Sequence, residues 1–379
     1  MPRGLSEALT EAGRARIEAV ARAHLERGWH PGAQLAVYRD GALALDLRLG
    51  DAAAPGMRLL WFSATKPLAA AAILMLVERG ALDLDMRIAE VWPEFAQGGK
   101  AACTVRHVLT HQGGFPVFPR DFDWARIDDW GAATAATAAL PAAWPPGSAV
   151  GYHPVTYGFA LGEVIRRVDG RMPRDFLAQE IFAPLGMEAS LGIDDLGLPG
   201  EGIEDASRIV ALPRAMSEVT FDDPEGSERR TSDVVRRFTL PSTLRAQLLA
   251  ANGAGTAEAL ARFYAMLEQG GALATPAGEV RLLRAETVAE ATRVHVATEA
   301  DRSTGLPASY GLGFIAGTWF APFDRPGVFG HPGQQCTIAY ADPSLGVAVA
   351  YVTNGLHDPL VVQLRTEEIV QAVAEACGE

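Results

Sequence analysis

The sequence predicts an α/β fold in which the two ends of the chain, residues 1–75 and 255–379, build one discontinuous domain around a mostly helical insertion at 76–254. Three observations predict it. Two short strand-like runs near the N-terminus meet at an Asp-Gly pair. Strand-like runs return only after Ser309, and the stretch between them is dominated by helical periodicity.

In chain order, residues 5–27 form an expected amphipathic helix, because Leu9, Ile17, Val20 and Leu25 share one face among Glu and Arg. AQLAVY (33–38) and ALALDLRL (42–49) are joined through Arg39-Asp40-Gly41, the composition of a tight hairpin. From Ser63 to about Gly80 the pattern is helical, with Gly80 placed for a C-cap. Further helices are expected within 104–111, 130–140, 156–170, 173–186 and 256–271. Strands follow at 310–320, 335–342 and 346–354, the last two joined by the turn Pro343-Ser344-Leu345-Gly346, and a helix closes the chain at 360–376. The charged stretch 217–238 reads as a solvated loop.

Composition narrows the function. With 379 residues, 49% of them hydrophobic, the chain can bury a large core. Its net charge of -13 disfavours nucleic acid and anionic membrane surfaces as partners. No signal-peptide h-region and no run of 18 apolar residues is present, so no membrane span is expected. The three cysteines, Cys103, Cys336 and Cys377, cannot all pair and have no zinc spacing, which fits a reducing cytoplasm.

The most informative stretch is WFSATKPL, residues 61–68. The chain has 31 arginines but only two lysines, and Lys66 is one of them, three residues after Ser63. Positions i and i+3 share a helix face, so the serine hydroxyl and the lysine amine can meet near a helix N-terminus. Serine needs a base, and a buried lysine can serve because desolvation disfavours its ammonium form. Arginine cannot, since it does not deprotonate in proteins. Read alone, Lys66 is equally a solvated charge at a helix start.

Two other positions have suitable chemistry. Tyr152 lies in the Pro/Gly-rich segment PPGSAVGYHP, where a side chain can be aimed into a cleft. Beside a lysine it can exchange protons, held partly as phenolate by the positive charge; taken alone it reads as a half-buried packing aromatic. His331 stands in GHPGQQ (330–335), just before an expected strand, where the glycines allow close backbone approach and an N–H to pair with that of Ser63 as an oxyanion hole. Alone, His331 reads as a surface residue.

Together, S-x-x-K at 63–66, a tyrosine about 90 residues on and H-x-G at 331–333 resemble the class C β-lactamase and penicillin-binding-protein superfamily, whose motifs are S-x-x-K, Y-x-N and K-T-G. LTHQGGFP (109–116), residues 146–171 and YGLGF (310–314) extend the resemblance along the chain, and its esterase branch, the family VIII carboxylesterases, is the most similar. The resemblance implies a β-lactamase/transpeptidase-like fold: an antiparallel sheet flanked by the N- and C-terminal helices, a helical domain, and the active site in the cleft between. It implies Ser63 as nucleophile, Lys66 as general base and Tyr152 as its proton-relay partner. His331-Pro332-Gly333 would take the place of K-T-G, with the Gln334 N–H as second oxyanion donor.

Two departures stand out. Tyr152-His153-Pro154 has proline where the family has asparagine, and His331 replaces the K-T-G lysine, both of which argue against efficient β-lactam turnover. The expected activity is therefore hydrolysis of a small-molecule carboxylic ester through an acyl-enzyme, without metal or cofactor. A β-lactamase, a D-amino-acid peptidase or amidase, an acyltransferase and a non-catalytic binding protein are the alternatives. G-x-S-x-G, H-E-x-x-H and the P-loop motif are absent.

Overall fold

Asp40 and Gly41 both adopt positive φ, 46° and 78°, the twist that a two-residue hairpin requires between strands β1 (Gly32–Arg39) and β2 (Ala42–Gly50). The computed structural model describes residues 9–54, 56–193, 237–238, 240–334, 336–357 and 359–378. Of the predicted loop at 217–238, all but Arg237 and Phe238 lies outside the described residues.

In chain order the remaining strands are β3 (Leu59–Leu60), β4 (Ala189–Leu191), β5 (Gly253–Gly255), β6 (Ala272–Thr275), β7 (Gly278–Arg281), β8 (Val296–Thr298), β9 (Ala308–Tyr310), β10 (Ile315–Ala316), β11 (Phe329–Gly333), β12 (Thr337–Asp342) and β13 (Val347–Thr353). Eight of them form one sheet in the order β2-β1-β13-β12-β11-β10-β9-β8. Antiparallel pairing of β1 with β13, Ala33 opposite Thr353 through Arg39 opposite Val347, brings strands from the two ends of the chain side by side.

Alternation along these strands sorts the sheet's two faces. Leu35, Val37, Ile338, Tyr340, Val349 and Tyr351 point to one side, where they share a core with Ile17 of the N-terminal helix (Glu11–Glu26) and Ile369 and Val373 of the C-terminal helix (Pro359–Ala376). Ala36, Ala339, Ala341, Ala348 and Ala350 point to the other side, toward the main core. These small side chains let the helix Ala257–Glu268 lie close on the sheet. Because both faces are covered, β13 is buried at every position, and its polar/apolar alternation is lost from the sequence.

Two expectations are corrected and a third is extended. The first helix begins at Glu11, because Thr10 caps it by accepting the Gly13 N–H at 3.0 Å; residues 1–8 lie outside the description. Only Ile315–Ala316 of the predicted strand at 310–320 pairs as β10. Gly313, at φ 85°, turns the chain against the helix Lys66–Glu78, where a Cβ would come within 2.4 Å of the Ala70 Cβ and 2.7 Å of the Tyr157 hydroxyl. GHPGQQ precedes a strand as expected, β12, and its first four residues also belong to one, β11.

Candidate active site

Ser63 lies in a 3-10 turn, Phe62–Thr65, that runs into the helix Lys66–Glu78. That helix, KPLAAAAILMLVE, is buried from Lys66 through Leu76, so it is apolar all round and forms the centre of the core. Gly80 ends it at φ 69°, with its N–H on Val77 O and the Ala81 N–H on Leu76 O. Phe62, just before the serine, holds φ 47°, a left-handed conformation uncommon for a bulky residue, and packs on Phe238 at 4.8 Å. Thr65 Oγ1 accepts the Gly253 N–H at 2.9 Å, and the Trp61 N–H donates to Gly253 O at 2.8 Å, which clamps the turn to β5.

Lys66 is wholly buried. Its Nζ donates to two backbone carbonyls, Pro154 O at 3.1 Å and Ala250 O at 2.9 Å, and lies 3.3 Å from Ser63 Oγ. Burial lowers its pKa well below the ordinary lysine value. A neutral amine has two N–H bonds and one lone pair. The carbonyls take both N–H groups, which leaves the lone pair for the serine proton. Proline at 154 thus keeps a contact to the lysine through its carbonyl. The other lysine, Lys100, is also buried but donates to three carbonyls, Gln97 O, Ala138 O and Leu140 O, the complement of an ammonium. Neither lysine is a solvated surface charge.

The Tyr152 hydroxyl is hydrogen-bonded to Ser63, and Lys66 Nζ sits 4.7 Å from the centre of the Tyr152 ring. The expected phenolate is corrected. Burial raises the phenol's pKa above its ordinary value, the Ser63 hydrogen bond opposes this, and the Asp301 charge adds to it. Burial also lowers the pKa of the neighbouring Lys66 amine, which weakens the positive charge that a phenolate would need. Tyr152 is a phenol that can give a proton.

The loop carrying Tyr152 is held by groups that sequence reasoning missed or left without a role. Both carboxylate oxygens of buried Asp301 accept the Tyr152 N–H, at 3.0 and 2.9 Å. Asp301 also accepts the N–H groups of Ser303 and Thr304 and the hydroxyl of Tyr310. His111, at φ 58°, accepts the His153 N–H on Nδ1 at 3.1 Å and packs against Tyr152 at 4.8 Å. Asn252 fixes the Ala250 segment by donating to Thr243 O, Leu244 O and Ala246 O. In the sequence, Asp301 in DRST shows only a local turn and Asn252-Gly253 only a breaker; nothing local couples either to residues 149 and 186 positions away.

Across from the serine turn, β10 pairs with Phe329 and Gly330 only, so from His331 onward that side of β11 is not covered by a strand among the described residues. A Cβ at Gly333 would lie 2.3 Å from Trp61 O, so this position needs glycine for β11 to reach the serine turn. His331 is buried rather than on the surface; its Nδ1 donates to Pro332 O at 2.7 Å, and burial lowers its pKa to about 3. Ser63, Tyr152, His331, Gly333 and Gln334 all line one cavity of about 500 Å³. Apart from Ser63, Tyr152 and Gln334, its described walls come from residues 304–321, β11, β12 and the C-terminal helix.

Among the described residues, no group of three or more His, Cys, Asp or Glu side chains is arranged to hold a metal ion, and no helix is long and apolar enough to cross a membrane. A family model described as Beta-lactamase matches residues 17–374. "Esterase/beta-lactamase LipL" of Mycobacterium tuberculosis is 31% identical over 353 residues, covering 87% of this chain and 79% of the relative. Among solved structures, a penicillin-binding protein homolog from Caulobacter crescentus superposes with a TM-score of 0.79 at 32% identity, covering 98% of this chain and 99% of that one. A family VIII carboxylesterase superposes with a TM-score of 0.78 at 25% identity and the same coverage.

Proposed function

The chain belongs to the Beta-lactamase family, as a serine hydrolase with esterase relatives, and we propose that it cleaves carboxylic esters through an acyl-enzyme on Ser63. One observation supports this most: a wholly buried Lys66 whose Nζ donates to two backbone carbonyls and lies 3.3 Å from Ser63 Oγ, with burial lowering its pKa.

In the proposed reaction Lys66 takes the Ser63 proton as Oγ attacks the ester carbonyl. The N–H of Ser63, at a helix start where such donors lack intrahelical partners, and the N–H of Gln334 stabilise the oxyanion. The Tyr152 phenol gives its proton to the leaving alkoxide and recovers one from the Lys66 ammonium, which resets the amine. Water then enters, loses a proton to Lys66 and attacks the acyl carbonyl; as the acid leaves, the Lys66 ammonium returns that proton to Ser63 Oγ. An ester is favoured over a β-lactam because the pocket has proline and a neutral histidine where the family's asparagine and lysine would hold the lactam amide and carboxylate.

Ser63→Ala, assayed with a short-chain 4-nitrophenyl ester, is expected to lose turnover and labelling by a fluorophosphonate. Retained turnover, or labelling mapped by mass spectrometry to another serine, would sink the proposal.

A further inference from the structure

The cavity around Ser63 runs along an apolar wall that includes Leu306, Ile315, Phe320, Ile338 and Val362. Glu367, on the C-terminal helix, is the only charged side chain among its described lining residues. Gln363, one helical turn away, donates to it at 2.8 Å, which holds the carboxylate in place. Among the described residues no arginine lines the cavity, Lys66 is closed off behind Ser63, and His331 is neutral at pH 7. A second carboxylate, Asp301, stands behind Tyr152. A substrate carboxylate would therefore lose water and meet like charge with no partner among the described lining residues.

A cation on an apolar stem meets the opposite situation. The stem lies on aliphatic surface, and the head finds a carboxylate and aromatic faces. Trp319, 50% exposed in the cavity wall, is fixed by its Nε1 donating to Pro307 O at 3.1 Å and packs edge-on against Phe320 at 5.4 Å. Resting on the esterase reading above, we propose that the site selects esters whose apolar group ends in a positive charge, rejects those ending in a carboxylate, and reads that charge through Glu367.

The test uses three chromogenic esters of one chain length, ending in trimethylammonium, in the isosteric tert-butyl group or in a carboxylate. Wild-type kcat/KM is expected to fall in that order. Removing one charge shifts each charged arm by roughly threefold, so Glu367→Gln should lower the cation-to-anion ratio about tenfold, and Glu367→Lys should invert the preference. Glu90→Gln, exposed and away from the cavity, should leave the ratio unchanged. Ratios within twofold of wild type in both Glu367 variants would overturn the proposal. Failure of the neutral ester to turn over would instead count against the esterase reading. Glu367 would then be judged by calorimetric binding of decyltrimethylammonium and decanoate to the Ser63→Ala protein, with and without Glu367→Gln. A cation preference lost in the double variant supports the charge reading, and no preference refutes it.

Discussion

Asp301→Ala tests how the fold positions the chemistry. The carboxylate satisfies four donors: the N–H groups of Tyr152, Ser303 and Thr304 and the hydroxyl of Tyr310. Ser303 and Thr304 are exposed, so water can replace the carboxylate there. The Tyr152 N–H and the Tyr310 hydroxyl are screened from solvent, and two unsatisfied buried donors cost about 1–3 kcal/mol each, or roughly 2–6 kcal/mol in all. The Tyr152 loop would also shift, and a displacement of about 1 Å at a catalytic group can lower kcat about 100-fold. Urea unfolding gives the first quantity and ester kinetics, normalised to titratable Ser63, the second. Asp301→Asn, which retains an acceptor oxygen, should fall between. An alanine variant within about 0.5 kcal/mol of wild type and equally active would refute the claim that Asp301 holds Tyr152 in place.

Other consequences follow from the same geometry. Lys66→Arg keeps a cation but cannot release a proton, so kcat should fall by about 10³-fold or more while near-native rates would exclude Lys66 as base. Tyr152→Phe should lower kcat by about 10²–10⁴-fold with little change in melting temperature, because the loop is anchored through its backbone N–H rather than its hydroxyl. Gly333→Ala should destabilise by about 1–3 kcal/mol and slow turnover, since its Cβ would collide with Trp61 O. Burial lowers the histidine pKa values to about 4 for His24 and about 3 for His153 and His331. Each has a folded pKa below its unfolded value, so the unfolded chain binds more protons under mildly acidic conditions. Stability should be full above about pH 6.5 and fall progressively toward pH 3 in chemical unfolding; a flat profile across that window would contradict it.

Much of this fold was legible because local signals agreed with the tertiary outcome. Asp40-Gly41 forms the turn its residue types demand, and Gly80 closes the helix where the pattern ends. YGLGFIAGTWF misled because its apolar content suits a strand, whereas Gly313 is there to let the chain reach Ala70 and Tyr157. In the site, Ser63 and Lys66 were readable since their relation is one helical turn, and Tyr152 joined them through the resemblance. Asp301, His111 and the Ala250 carbonyl act across the fold and leave no local spacing to find. The ionisation of Tyr152 was also beyond the sequence: it follows from burial, and burial here is set by all the elements that close over the pair.

The most direct test of the central claim uses the scarcity of lysine. Labelling lysine with ¹⁵N at Nζ gives signals from two residues, Lys66 and Lys100, which Lys100→Met assigns. At pH 7 the account predicts a neutral amine at Lys66, held by two carbonyls, and an ammonium at Lys100, held by three and with a pKa of about 8. An Nζ resonance of Lys66 that remains that of an ammonium at pH 7 and titrates near the ordinary lysine value would contradict it.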